Sequence, residues 1–186
     1  FPYTTLFRSL GMSDSARAAG LELIRRANAA GSLVSLDVNY RAAQWVSRDA
    51  AAAALSGAVG IGVDILEITD DEMESLGWGS DPADIRGRFP GVPTIVLKRG
   101  KAGVSVWAGG REFSSPAFEV EVVDTVGAGD SFDSGYLAAT LEGAEPPEAA
   151  RFAAAAAALT CTGRGPLERM PRRAEVDAFL RERAFS

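Results

Sequence analysis

The chain has 186 residues, with 19 Lys and Arg against 25 Asp and Glu, a formal net charge of −6, no histidine and a single cysteine, Cys161. The lack of histidine excludes the usual zinc sites and the Ser-His and Cys-His triads, one cysteine cannot close an internal disulfide, and the acidic balance argues against a general affinity for nucleic acid. The mixed, moderately apolar composition fits one soluble globular domain, no run is long and apolar enough to span a membrane, and a cytoplasmic location is expected.

Phe1-Pro-Tyr-Thr-Thr-Leu-Phe-Arg-Ser9 shows neither a helical period nor the layout of a signal peptide, so residues 1–9 are set aside as a foreign or scar-like segment and residues 10–186 are expected to fold. Apolar spacing from Ser13 to Ala30 predicts an amphipathic helix closed by Gly31, and Leu33 to Asp37 reads as a buried strand. An alanine-rich helix over Asp49 to Leu55, a strand over Val63 to Glu67 and a short helix over Asp70 to Leu76 follow. Asp81 is placed to cap a helix over Pro82 to Arg86, with proline at its first position. Thr94 to Lys98 is a further strand, and Val104 to Ala108 with Arg111 to Ser115 predicts a hairpin across Gly109-Gly110. Glu119 to Val123 alternates polar and apolar like a half-buried strand, then helices are expected from near Ala128, over Pro147 to Thr160 and over Arg173 to Arg183. Strands separated by helices argue for a mainly parallel sheet covered on both faces. Ligands of such sheets gather at the carboxyl ends of strands, where Asp37, Glu67, Lys98 and Asp124 would fall.

The stretch with most chemical content is Asp124-Thr-Val-Gly-Ala-Gly-Asp130-Ser-Phe132, a glycine turn opening a helix with a carboxylate in its first turn. A helix N-terminus presents unpaired N–H groups and a positive dipole end, and Gly127 and Gly129 carry no side chain to block an anion. Asp130 adds a base beside such a site, as proton removal from an attacking hydroxyl requires. A plain structural account of the same aspartate is that it complements the helix dipole.

Every specified position of Asp-Thr-x-Gly-Ala-Gly-Asp-x-Phe is matched, and the string resembles the second signature of the PfkB, or ribokinase-like, carbohydrate kinases. The resemblance implies an anion hole at Gly127, Ala128 and Gly129 for the transferred phosphate, and Asp130 as the catalytic base touching the substrate hydroxyl. It also puts Thr125 beside the nucleotide. Lys98-Arg-Gly100-Lys-Ala-Gly103 is similar to a strand-turn-strand of the family whose amides approach the phosphates, which implicates Gly100 and Gly103; a solvated hairpin tip predicts the same composition. Asp37-Val-Asn39-Tyr-Arg41-Ala-Ala-Gln-Trp45 resembles an element of the 2-keto-3-deoxygluconate kinase and fructokinase branches, so Asn39 and Arg41 inherit its contact to the substrate or the transferring phosphate, although a strand-exit turn with Asp37 and Asn39 in local backbone bonds and Trp45 in the core accounts for the same residues. Glu72 falls where the family carries Asn-x-x-Glu, whose carboxylate helps hold magnesium through water, but Thr69 replaces the asparagine and Thr69 with Glu72 also reads as a capping box. Thr160 to Pro166 resembles the segment bordering the adenine, although Phe152-Ala153 stands where many members have an asparagine, and Gly163 also reads as a helix C-cap.

The implied fold is ribokinase-like (Rossmann-like), a three-layer α/β/α arrangement with a mainly parallel sheet. The resemblance runs from about Gly31 to Leu180 and covers only the C-terminal part of a member, so the N-terminal part and its small β lid are expected to be missing. The implied function is an ATP-dependent phosphotransferase acting on a sugar or sugar-acid hydroxyl, either 2-keto-3-deoxygluconate-like or fructose-like. ATP and Mg2+ are its cofactors, a small sugar its partner, and a homodimer an option for the full-length protein. The alternative is that the truncated chain is a non-catalytic nucleotide-binding fragment of a kinase. A Rossmann oxidoreductase fits less well, since Phe132 occupies the third glycine position of its fingerprint and helix follows Leu141 where a strand is required.

Overall fold

A computed structural model describes residues 3–6, 10–79 and 81–183. The chain divides into two compact units, Phe1–Arg99 with Trp107–Arg111, and Gly100–Val106 with Glu112–Ser186. The first holds β1 (Tyr3–Leu6), α1 (Asp14–Ala29), β2 (Val34–Asp37), α2 (Arg48–Gly62), β3 (Ile65–Thr69), α3 (Asp70–Ser75), α4 (Pro82–Arg88) and β4 (Thr94–Lys98). β1, β2, β3 and β4 pair in parallel in chain order, with Leu36 opposite Leu66 and Leu66 opposite Ile95. Helical crossovers between successive strands dictate this direction, because a parallel partner must be reached from the far end.

Side chains two apart on a strand share a face. Leu36, Leu66, Ile68, Ile95 and Leu97 therefore line one side of the sheet, and they join Ile24 and Ala27 of α1, Leu55 of α2, Met73 of α3 and Ile85 of α4 in one hydrophobic cluster. The alternate positions Ser35, Asp37, Glu67 and Lys98 lie on the other face. Caps follow the sequence: Ser13 Oγ accepts from Ala16 N, Ser47 Oγ from Ala50 N and Asp81 Oδ1 from Ala83 N.

Three expectations for this first unit need correction. Residues 1–9 do not all stand apart from the fold, because Tyr3–Leu6 pair with Val34–Asp37 as β1, as suits a β-branched and aromatic tetrapeptide; Phe1, Pro2 and residues 7–9 lie outside the described residues. The strand expected over Val63 to Glu67 runs instead over Ile65–Thr69, and Asp64 just before it ties the starts of both neighbouring strands: its Oδ2 accepts from Val34 N at 2.8 Å and its carbonyl from Thr94 N at 2.9 Å. The helix before it runs on to Gly62 rather than ending at Leu55.

The second unit holds most of the hairpin of β5 (Val104–Ala108) and β6 (Arg111–Ser115), then α5 (Ala128–Leu141), α6 (Pro146–Thr160), α7 (Gly165–Glu168) and α8 (Arg173–Glu182). The hairpin turns on Gly109 and Gly110 at φ 57° and 76°, the left-handed pair that a tight two-residue turn demands. α5 and α6 pack at close range, since a Cβ on Gly135 would lie 3.1 Å from Ala153 Cα and 3.3 Å from Ala156 Cβ. Thr160 Oγ1, 2.8 Å from Ser131 Oγ, stitches the same two helices inside the protein. Glu119 to Val123 is not a strand: its backbone partner is a helix end, with Val123 N and Asp124 N both donating to Cys161 O, and Val122 and Val123 remain half exposed. Alternation marks a segment able to join a sheet, not one with a neighbour to pair with.

Candidate active site

The signature builds a rigid turn in front of α5. Asp124 anchors it, with Oδ1 accepting from Val126 N at 3.0 Å and Oδ2 from Gly165 N at 2.8 Å. The Val126 amide foremost, then that of Gly165, holds the Asp124 carboxyl below its ordinary value. Gly127 is the N-cap of α5 at φ 86°, a left-handed conformation that side-chain-bearing residues resist, and no side chain caps the helix. Ala128 N is used by Thr125 O and Ser131 N by Gly127 O. The amides of Gly129 and Asp130 between them have no intrahelical acceptor, and the space beside Gly129 is open. Asp130 is solvent-exposed in the first turn of α5 and forms no ion pair or side-chain hydrogen bond to another described residue. Thr125 is exposed on the same turn.

Around this turn the sequence reading missed α7 and the tie from Gly165 to Asp124. The signal for both was present in Gly163-Arg-Gly165-Pro166: Gly165 stands at φ 65°, and a Cβ on Gly163 would come within 2.5 Å of Arg169 Cβ. Gly103, at φ 88°, has a local reason to be glycine, since a Cβ there would sit 2.2 Å from Ser115 O. Gly100, at φ 49°, borders open space and leaves its turn accessible. Burial foremost, then the Asp124 carboxylate, pushes the Cys161 thiol up from its ordinary value.

In the first unit the exit of β2 is a second polar turn. Asn39 adopts φ 37°, and its Oδ1 is enclosed with no hydrogen-bond partner among the described residues. The guanidinium of Arg41 is half exposed, donating to Tyr40 O at 2.9 Å and standing 3.6 Å from Glu72 Oε1. Glu72 is buried, its Oε1 accepting from Tyr40 N at 2.8 Å and its Oε2 from Thr69 N at 3.0 Å, while Thr69 Oγ1 accepts from Glu72 N. The capping box is therefore present, and with each oxygen already accepting a backbone amide the carboxylate does not suit direct coordination of magnesium. Among the described residues no group of three or more acidic or cysteine side chains is arranged to hold a metal.

Of the groups expected at strand ends, Asp37 and Lys98 pair at 3.2 Å, both largely buried, with Lys98 reaching over β3 to β2. Glu67 is fully buried and accepts from Ser35 Oγ at 2.8 Å.

A protein-family model for pfkB family carbohydrate kinases matches residues 5–173. The 2-dehydro-3-deoxygluconokinase of Thermoproteus tenax is 32% identical over 175 residues, which cover 93% of this chain and 53% of that protein. An Arabidopsis thaliana protein named "Probable fructokinase-7" is 34% identical over 183 residues, covering 91% of this chain and 52% of its own length. Among solved structures, aminoimidazole riboside kinase from Salmonella enterica, complexed with aminoimidazole riboside and an ATP analog, superposes with a TM-score of 0.83 at 31% identity, over 95% of this chain and 61% of that one. The fold is thus ribokinase-like, and the chain spans about half the length of the curated relatives it matches. The dinucleotide-binding alternative falls, because α5 leads into α6 where that fingerprint needs a strand. No helix among the described residues is long and apolar enough to cross a membrane. An uncapped helix start, an exposed Asp130 beside it and a family match along nearly the whole chain converge on one assignment: the chain belongs to the pfkB family of carbohydrate kinases.

Proposed function

We propose that this chain carries the phosphate-handling and base-bearing part of an ATP-dependent kinase that phosphorylates a hydroxyl of a sugar or sugar acid. The observation that carries this reading is the start of α5, where two amides without acceptors and an exposed carboxylate occupy one helical turn. In the proposed reaction Asp130 takes the proton of the acceptor hydroxyl as its oxygen attacks the γ-phosphorus, and ADP departs with the electrons of the broken P–O bond. The Gly129 and Asp130 amides, admitted by Gly127 and Ala128, accept the negative charge of the transferring group. Thr125 and the accessible turn at Gly100 are assigned to the nucleotide, with Gly103 shaping that turn. Asn39 and Arg41 are assigned to the substrate, where a guanidinium suits a carboxylate or vicinal oxygens.

Magnesium bound to the ATP would neutralise phosphate charge, and its ligands would be phosphate oxygens and water. The Asp-Val-Asn-Tyr-Arg turn favours a 2-keto-3-deoxygluconate-like or fructose-like acceptor over a nucleoside. A cytoplasmic sugar kinase, dimeric at full length, is the matching cellular form. Because the chain spans about half of its relatives, binding of nucleotide without turnover is the second reading. Phosphate transfer from ATP to a panel of 2-keto-3-deoxygluconate, fructose, ribose and aminoimidazole riboside, alongside calorimetry with ATP, separates the two. Turnover on one acid or ketose supports the first reading and ATP binding alone the second; neither signal would refute both.

A further inference from the structure

The family resemblance points Glu72 at magnesium, but its surroundings assign it other work. Its two carboxylate oxygens are divided between two chain segments: Oε1 takes the amide of Tyr40, in the turn after β2, and Oε2 takes the amide of Thr69, at the end of β3. The side chain is buried, and Arg41 Nη1 lies 3.6 Å from the oxygen that Tyr40 uses. Asn39 immediately before is held at φ 37°, a conformation that an unrestrained asparagine leaves readily. Val38 N to Glu67 O, at 2.8 Å, completes the attachment of this turn to β3.

We infer that Glu72 is a positioning residue: its carboxylate pins the Asn39–Arg41 turn to the end of β3 and sets the direction in which the Arg41 guanidinium meets an anionic or polyhydroxy ligand. An ionised acceptor makes amide hydrogen bonds that are about twice as strong as neutral ones. It also offsets the positive charge of Arg41 on one side, leaving the exposed side of the guanidinium for a ligand. The ligand named here rests on the kinase reading; the clamp itself does not.

The test uses the full chain and three variants, Glu72→Ala, Glu72→Gln and Arg41→Ala. Amide hydrogen exchange followed by NMR is expected to quicken at least about tenfold at both Tyr40 and Thr69 in Glu72→Ala, while the amides of β3 hold their wild-type rates. In Glu72→Gln one oxygen still accepts and an NH2 group meets the other donor, so only one of the two amides should quicken. Unchanged exchange at Tyr40 in Glu72→Ala overturns the clamp. Titration with MgCl2 alone should leave the resonances of residues 69–75 in place, and a saturable shift there that Glu72→Gln abolishes would return the residue to the metal. In any protein context that turns over, Glu72→Gln should raise the KM for sugar several-fold with the KM for MgATP unchanged, and the double variant with Arg41→Ala should be no worse than Arg41→Ala alone. Additive losses would overturn the coupling. If the chain transfers no phosphate, the exchange and magnesium results still decide the role of Glu72 and leave the failure with the kinase reading.

Discussion

At the exit of β2 the turn closes on itself, whereas at the start of α5 it stays open. In the first, Glu72 is buried, both of its oxygens accept backbone amides, and the nearby guanidinium leans on it. In the second, Asp130 is exposed and two amides of the first helical turn have no acceptor. Both turns are polar and both use a left-handed backbone, which costs energy at Asn39 and comes freely to Gly127. The first uses its carboxylate to hold a shape, and the second keeps carboxylate and donors available for a ligand. A carboxylate near a glycine- or asparagine-bearing turn is therefore not informative until its hydrogen-bond partners are counted.

The comparison breaks hardest at Asp130. Asp130→Asn, measured in a protein that turns over, should lower kcat by about 100- to 10,000-fold, the usual worth of a general base, with ADP affinity and melting temperature nearly unchanged. A kcat within twofold of wild type would leave Asp130 with no more than a dipole role. Next comes Gly103→Ala, inside the second unit, where the close approach of the Gly100–Gly103 turn to Ser115 is at stake. The new methyl would meet Ser115 O, and urea denaturation should show a loss of about 2 kcal/mol or more, from strain in a left-handed residue plus overpacking. Gly127→Ala should cost about 1–2 kcal/mol by the same measurement for its left-handed backbone. It should also weaken ADP binding in calorimetry, and wild-type ADP affinity in Gly127→Ala would detach Gly127 from the phosphate.

Asp124 supplies the smallest and most specific effect. Its folded carboxyl is held below its ordinary value, so its contribution to stability is fully present above the unfolded value and is lost as pH falls through the folded one. Thermal melts taken downward from neutral pH should show the wild-type protein losing stability in that acid window. Asp124→Asn, which cannot ionise, should start lower and respond less steeply there. Parallel curves would mean that the ties to Val126 and Gly165 carry no linkage.

Much of the fold was legible because its signals are local. Ser13, Ser47, Thr69 and Asp81 each stand in front of a helix as caps, Gly109-Gly110 fixes a hairpin turn, and Thr94 to Lys98 reads as the strand it is. The start of α5 was legible for the same reason, since a glycine N-cap and an acidic first turn lie within a few residues of one another. Glu119 to Val123 misled because a period of two says which residues could face a core and nothing about whether a strand lies alongside. Tyr3–Leu6 misled in the opposite direction: four residues hold no period worth reading, yet they meet an available edge at β2.

Sequence alone therefore decided the crossover order, which makes β2 to β4 parallel, and the character of the turn that opens α5, because dihedral preferences and helix-end chemistry act over a few residues. Only tertiary structure decided where each carboxylate is spent. Glu72 is claimed by the amide of Tyr40 and Asp124 by that of Gly165, partners far along the chain that no local pattern names, while the Asp130 carboxylate is claimed by none of the described residues. The physical reason is that a buried carboxylate must find donors wherever the fold brings them, and an exposed one can leave water to do so until a ligand arrives.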